Sequence, residues 1–165
     1  MGALDGVMFS NTLKLHTCLG WSGILIEGLR KNFLNLEINV QKLRPENTVI
    51  HHAAVCTPPS YFVKFEPGIG NAVGGDIAEM SPSFRKGWHN GKHPIEHTPC
   101  APMSRFLENT THVDFFSLDV EGAELTVLET IDFRKVVIST FMIEMDEHAL
   151  HRNYKIRQYL FNMGY

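Results

Sequence analysis

Along the chain, short unbroken runs of apolar residues alternate with stretches in which apolar residues return every three or four positions. The first pattern suits a buried strand and the second one face of a helix. Their alternation predicts an α/β sheet with helical crossovers. Gly2 to Gly6 reads as a glycine-rich turn, followed by a helix over Phe9 to Leu19 with Phe9, Leu13 and His16 on one face and Gly20 as its stop. Gly23 to Glu27 is a short buried strand ending in an acid. From Leu29 to Leu43 the residues Phe33, Leu36 and Val40 recur at helical spacing, and Pro45 closes that helix. Thr48 to Val55 is the next strand.

The alternation then breaks. Tyr61 to Phe65 reads as a strand, but Pro67 to His97 is rich in Gly, Pro, Asn and His. This predicts a long irregular loop over residues 67–99, of the kind that serves as a lid or binding loop. Order resumes at Cys100, with a short helix over Met103 to Glu108. Val113 to Val120 is a near-continuous apolar strand, as expected of one covered on both faces. Glu121 to Ile131 is its crossover helix, with Leu125 and Leu128 inward. Val136 to Met145 is a further strand and Tyr154 to Met163 the last helix.

A chain of 165 residues is long enough for one domain with one core. Its net charge of −3, with Lys and Arg scattered, argues against a nucleic-acid partner. No apolar run reaches membrane-spanning length, and the first residues do not form a signal peptide. Cys18, Cys56 and Cys100 include no CxxC pair, so a zinc site is not expected. Free thiols are the default reading, with a Cys56–Cys100 bridge as the alternative if the chain is secreted. Asn109-Thr110-Thr111 fits the acceptor sequon for N-glycosylation.

In open α/β sheets ligands sit at the carboxyl ends of the strands. Three candidates lie there: the turn Gly2-Ala3-Leu4-Asp5-Gly6, the strand-end acid Glu27, and Asp119-Val120-Glu121-Gly122, which opens a helix. Glycines let a ligand approach the backbone, and a carboxylate can accept both hydrogen bonds of a ribose diol. Glu144, at the end of another strand, suits either a substrate contact or a structural hydrogen bond.

The ordered set resembles the FkbM methyltransferase family. The resemblance rests on Trp21-Ser22-Gly23-Ile24-Leu25-Ile26-Glu27-Gly28, on Ala53-Ala54-Val55, and on Asp114 to Glu124, with Ser117 to Glu124 the most distinctive phrase. Phe141-Met142-Ile143-Glu144 and Gly164-Tyr165 are similar to its later landmarks. The resemblance implies a Rossmann-like class I methyltransferase sheet with helices on both faces. It also implies S-adenosyl-L-methionine as cofactor and methylation of a hydroxyl on a small-molecule or glycan acceptor. Gly2, Ala3, Asp5 and Gly6 would border the methionine part of the cofactor, Glu27 the ribose, and His52, Ala53 and Ala54 the adenine. Asp119 would border the sulfonium. Asp119 and Glu121 are the catalytic candidates, either as base for the acceptor or as its holder.

The family has an apolar strand before its first glycine loop and further strands after the position of Tyr165. The expectation is therefore a sheet lacking its first and last strands, with two neighbouring strands left unpartnered beside a groove, and residues 1–165 inactive by themselves. A non-catalytic remnant of the fold is the alternative function. A nucleotide-dependent oxidoreductase gives the phrase Asp119 to Glu124 no role. No metal is expected: His89, His93 and His97 recur every fourth residue, but Gly91 and Pro94 oppose a helix there. Gly68 to Gly75 and Trp88 read as loop residues, His51 and His52 as core or strand-end histidines, and His148 and His151 as a solvated turn.

Overall fold

The computed structural model describes residues 1–44, 46–69, 72–89, 93–146 and 149–165. Pro45, Gly91 and His148, named above, and two residues of the stretch Gly68 to Gly75 lie outside them. After the turns of residues 4–9 comes α1 (Leu13–Leu19), capped by Gly20 at φ +70°. β1 (Gly23–Glu27) runs parallel to β2 (Thr48–His52), and α2 (Arg30–Leu43) connects them. The helical spacing of Leu36 and Val40 carries both into a small core with Leu25 of β1.

At Ala53 the chain changes partners. The Ala53 amide donates to the Glu27 carbonyl at 3.0 Å, and β3 (Ala54–Val55) then pairs with a different strand. The following elements are β4 (Phe62–Glu66), β5 (Gly75–Asp76), α3 (Pro82–Trp88) and β6 (Glu96–Ala101). They make a mixed sheet of order β3-β6-β4-β5. Cys56 and Cys100 form a disulfide at the edge of β3 and β6. This replaces the free-thiol default for those two, while Cys18 is free and exposed.

The second half contains α4 (Met103–Phe106), β7 (His112–Val113), β8 (Phe116–Leu118), α5 (Glu124–Glu129), β9 (Val137–Ile138), β10 (Phe141–Ile143) and α6 (Leu150–Asn162). β8 and β10 are parallel, as are β7 and β9. Their inward residues join Ile26, Val55 and Ile156 in the largest core, around Val127 and Leu128 of α5, which are wholly buried. Each such side chain contributes about 1.5–3 kcal/mol of burial.

The architecture is α/β, but the described strands fall into four small sheets instead of one doubly wound sheet. Three runs expected as single strands each divide, at Ala53, at Asp114–Phe115 and at Ser139–Thr140, because their two halves hydrogen-bond to different partners. Among the described residues β1 pairs only with β2 and β8 only with β10. The edges of β1 and β8 border a common cavity. At its end, residues 1–3 bridge the two: Met1 donates to the Ser117 carbonyl at 2.5 Å, and Gly2 and Ala3 donate to Ile26 at 3.1 Å.

Two further expectations change. The first helix starts at Leu13, and Phe9 is 81% exposed with φ +56°. Asp5 causes this: its Oδ1 accepts the amides of Val7 and Met8 at 2.9 and 2.7 Å, committing the segment to a turn. The segment 67–99 also carries more order than its composition suggests, with β5, α3 and the start of β6 within it. Ser81 caps α3 by accepting the Phe84 amide, with Pro82 in the first turn. Among the described residues no helix is long and apolar enough to cross a membrane.

Candidate functional site

The glycine turn is held from below by strand ends. The Ile26 carbonyl accepts the amides of Gly2 and Ala3, and the Leu4 amide donates to Glu27 Oε2 at 2.8 Å. Gly2 has φ +73°, and a Cβ built on it would stand 1.7 Å from the Asp119 carbonyl oxygen. Only glycine allows this approach. At the far end of the turn, the Gly6 carbonyl accepts from the buried Arg44 guanidinium. Glu27 is buried, and its Oε1 accepts the Leu29 amide at 2.9 Å. Burial raises its pKa, against the lowering effect of the Leu29 and Leu4 amides and the Asn32 side chain.

Across the cavity three carboxylates gather, of which Asp119 and Glu121 line it. Register sets the first contact: Leu118 of β8 lies beside Ile143 of β10, so the next residues, Asp119 and Glu144, are neighbours. The Glu144 amide donates to the Leu118 carbonyl at 2.9 Å. Glu121 comes from the turn after β8, with φ +56°. Glu124, buried in the first turn of α5, holds that turn by accepting the amides of Val120 and Gly122 on Oε1 at 3.2 and 3.1 Å. One oxygen from each of Asp119, Glu121 and Glu144 lies within 4.8 Å of the others.

Such crowding shifts protons. Desolvation at the cavity and then the neighbouring charge of Glu144 and Asp119 push Glu121 up to about 8. Glu144 is likewise pushed up to about 8, by desolvation and then by its hydrogen bond with Asp119. The three could share protons, or each offer one oxygen to a divalent cation.

The cavity between the two halves has a volume of about 470 Å³ and is lined by Gly2, Ala3, Leu4, Glu27, Asp119 and Glu121. The FkbM methyltransferase domain family matches residues 1–165, the full length of the chain. The chain belongs to that family. No curated protein and no solved structure matches it.

In this FkbM domain the residues expected at the site divide in two. Gly2, Ala3, Glu27, Asp119 and Glu121 line one cavity. Asp5, Gly6, His52, Ala53 and Ala54 do not: Asp5 and Gly6 shape the turn behind it, and Ala53 and Ala54 are buried where β2 passes into β3. His52 is half-buried, with Nε2 3.1 Å from the Gly28 carbonyl and its ring 5.2 Å from that of Phe33. Burial lowers its pKa.

The FkbM domain also uses residues that sequence reasoning gave no role. Asn32 lines the cavity beside Glu27, and Ala72 and Gly74 bring the long loop to its wall. A Cβ on Gly75 would stand 3.1 Å from that of Glu121, so the loop packs on the turn that carries Glu121. Glu124 had a readable signal, an acid three residues into a turn-to-helix junction. Among the described residues the histidines of the ladder do not gather: His89 is buried at the end of α3, and His93 and His97 are exposed. Trp88 is exposed and outside the cavity lining.

Proposed function

We propose that this FkbM domain is an S-adenosylmethionine-dependent methyltransferase acting on a hydroxyl of a small molecule or glycan. One observation carries the reading: the glycine turn and the carboxylates after β8, with Glu144 beside them, meet at one cavity. The residues present fit the cofactor by chemistry. A sulfonium is a cation, and Asp119, Glu121 and Glu144 line up oxygens for it. The glycine turn Gly2 to Leu4 lies at the cavity wall, and Glu27, which accepts from the Leu4 and Leu29 amides and from Asn32, keeps one of its roughly four acceptor sites for a ribose hydroxyl. His52, Ala53 and Ala54 lie outside the cavity lining, so the adenine is not assigned to them. The same reading takes the parallel pairs β1–β2 and β8–β10 as parts of a Rossmann-like class I sheet.

When bound, S-adenosylmethionine supplies a methyl group already activated by positive sulfur. The chain's own work is alignment and proton removal. Asp119, fixed at the end of β8 and against Gly2, faces the cation. Glu121 accepts the proton from the acceptor hydroxyl, and its raised pKa suits a base working near neutral pH. Glu124 keeps Glu121 in place by holding the amides on either side of it. The long loop, packed against Glu121 through Gly75, bounds the acceptor side.

Calorimetric titration of S-adenosylmethionine into the chain tests the reading. Saturable binding should weaken by about 1–3 kcal/mol in Glu27→Ala, the usual cost of losing charge-assisted hydrogen bonds. Labelled methyl should then appear on hydroxyl-bearing acceptors in a screen. Absence of binding to folded protein, or label on nitrogen acceptors alone, overturns it.

A further inference from the structure

Two features outside the glycine turn and the carboxylate cluster point to the same modification. The first is the Cys56–Cys100 disulfide, which joins residues 44 apart in sequence. Both cysteines are buried, in a small core with Leu29, Ala54 and Phe65. Disulfides of this structural kind form and persist in oxidising compartments, whereas reducing ones keep such thiols open. The bridge fits folding of this chain in a secretory lumen. Asparagines in Asn-x-Ser/Thr sequons are glycosylated in that same compartment.

The second feature is the sequon itself. Asn109-Thr110-Thr111 is the one such tripeptide in the sequence, and neither its middle residue nor the following His112 is proline. The structure puts it where an acceptor must be. Asn109 and Thr111 are both exposed, in the turn between α4 and β7. The turn has firm supports: Leu107 is buried, the Thr110 amide donates to its carbonyl at 2.9 Å, and the Val137 amide donates to the Thr111 carbonyl at 3.0 Å. Asn109 itself lies outside the cavity lining, to which its neighbours Leu107, Thr110 and His112 belong.

We propose that Asn109 carries an N-linked glycan. The bond forms between Asn109 Nδ2 and C1 of the first sugar of a lipid-diphosphate-linked oligosaccharide. The C1–oxygen bond to the carrier breaks, the lipid diphosphate leaves with that electron pair, and the amide gives up one proton. The position also gives the glycan a task. The two-stranded pair β7–β9 is short, and Val137 beside Thr111 is 59% exposed. A bulky hydrophilic group at Asn109 covers that apolar strand edge against pairing with other chains.

The protein isolated from the cells that make it provides the test. Treatment with peptide-N-glycosidase should increase its gel mobility and leave aspartate at position 109, read by peptide mass spectrometry. Non-reducing digestion should yield a linked Cys56–Cys100 peptide. Asn109→Gln and Thr111→Ala, expressed in the same cells, should each lose the glycan completely, and Thr111→Ser should retain it. A linked cystine with unmodified Asn109 overturns the site. Free thiols at both cysteines overturn the compartment on which the proposal stands.

Discussion

The Asp119 carbonyl oxygen fills the space in which a Gly2 side chain would begin, 1.7 Å from the position of its Cβ. The turn that would meet the cofactor and the strand end that bears the carboxylates thus fix each other's position. Gly2→Ala is expected to lower stability by more than about 2 kcal/mol. The left-handed backbone alone costs an L-residue roughly 1–2 kcal/mol, and the contact adds to it. Thermal melts of the two proteins check this, with cofactor titration expected to show a parallel loss of affinity.

Stability should fall on the alkaline side. Glu121 and Glu144 titrate at 4.5 in the unfolded chain and at about 8 in the folded one. Between those values the folded protein binds more protons than the unfolded one, so stability is full below 4.5 and declines as pH rises through about 8. Melting temperatures from about pH 5 to about pH 9 should show the decline, and Glu121→Gln or Glu144→Gln should flatten it. An unchanged slope in both variants would mean that these carboxylates ionise normally.

Cofactor binding should release protons. A cation set beside Glu121 and Glu144 favours their charged forms and draws their pKa values down from about 8. The apparent binding enthalpy near neutral pH should therefore vary with the ionisation enthalpy of the buffer, and affinity should rise with pH. Glu121→Gln should reduce the buffer dependence. Equal enthalpies in all buffers would argue against a cation in contact with this cluster.

Methyl transfer should survive exhaustive chelation. The triad has the spacing of a metal site, but the proposed step needs no Lewis acid, since the methyl is already activated by positive sulfur and Glu121 takes the acceptor proton. Activity measured with and without EDTA is expected to be equal. Loss of activity that a divalent ion restores would reassign the three carboxylates as ligands.

What the sequence made legible was local. β1 ending in Glu27, α2 with Leu36 and Val40 inward, and the Gly20 stop all follow from neighbours a few positions away. The exchange of partners at Ala53 did not, because an apolar run reads alike whether it pairs with β1 or β6. Phe9 was misplaced for a related reason: its periodicity suited a helix, and Asp5 had already used the amides of Val7 and Met8. At the site, Asp119 and Glu121 were visible in one phrase. Glu144 joined them through the register of β8 with β10, a long-range fact that no local spacing encodes.

The edges of β1 and β8 that face the cavity have a dynamic consequence. Backbone groups of interior strands, at Ile24, Leu25 and Ser117, border space that solvent can enter. Hydrogen exchange there should proceed by local breathing between the two halves, well before global unfolding. A ligand present at a hundred times its Kd adds about 2.7 kcal/mol to the closed state. Its slowing of exchange should therefore be seen most clearly on these strands, including positions the ligand does not touch.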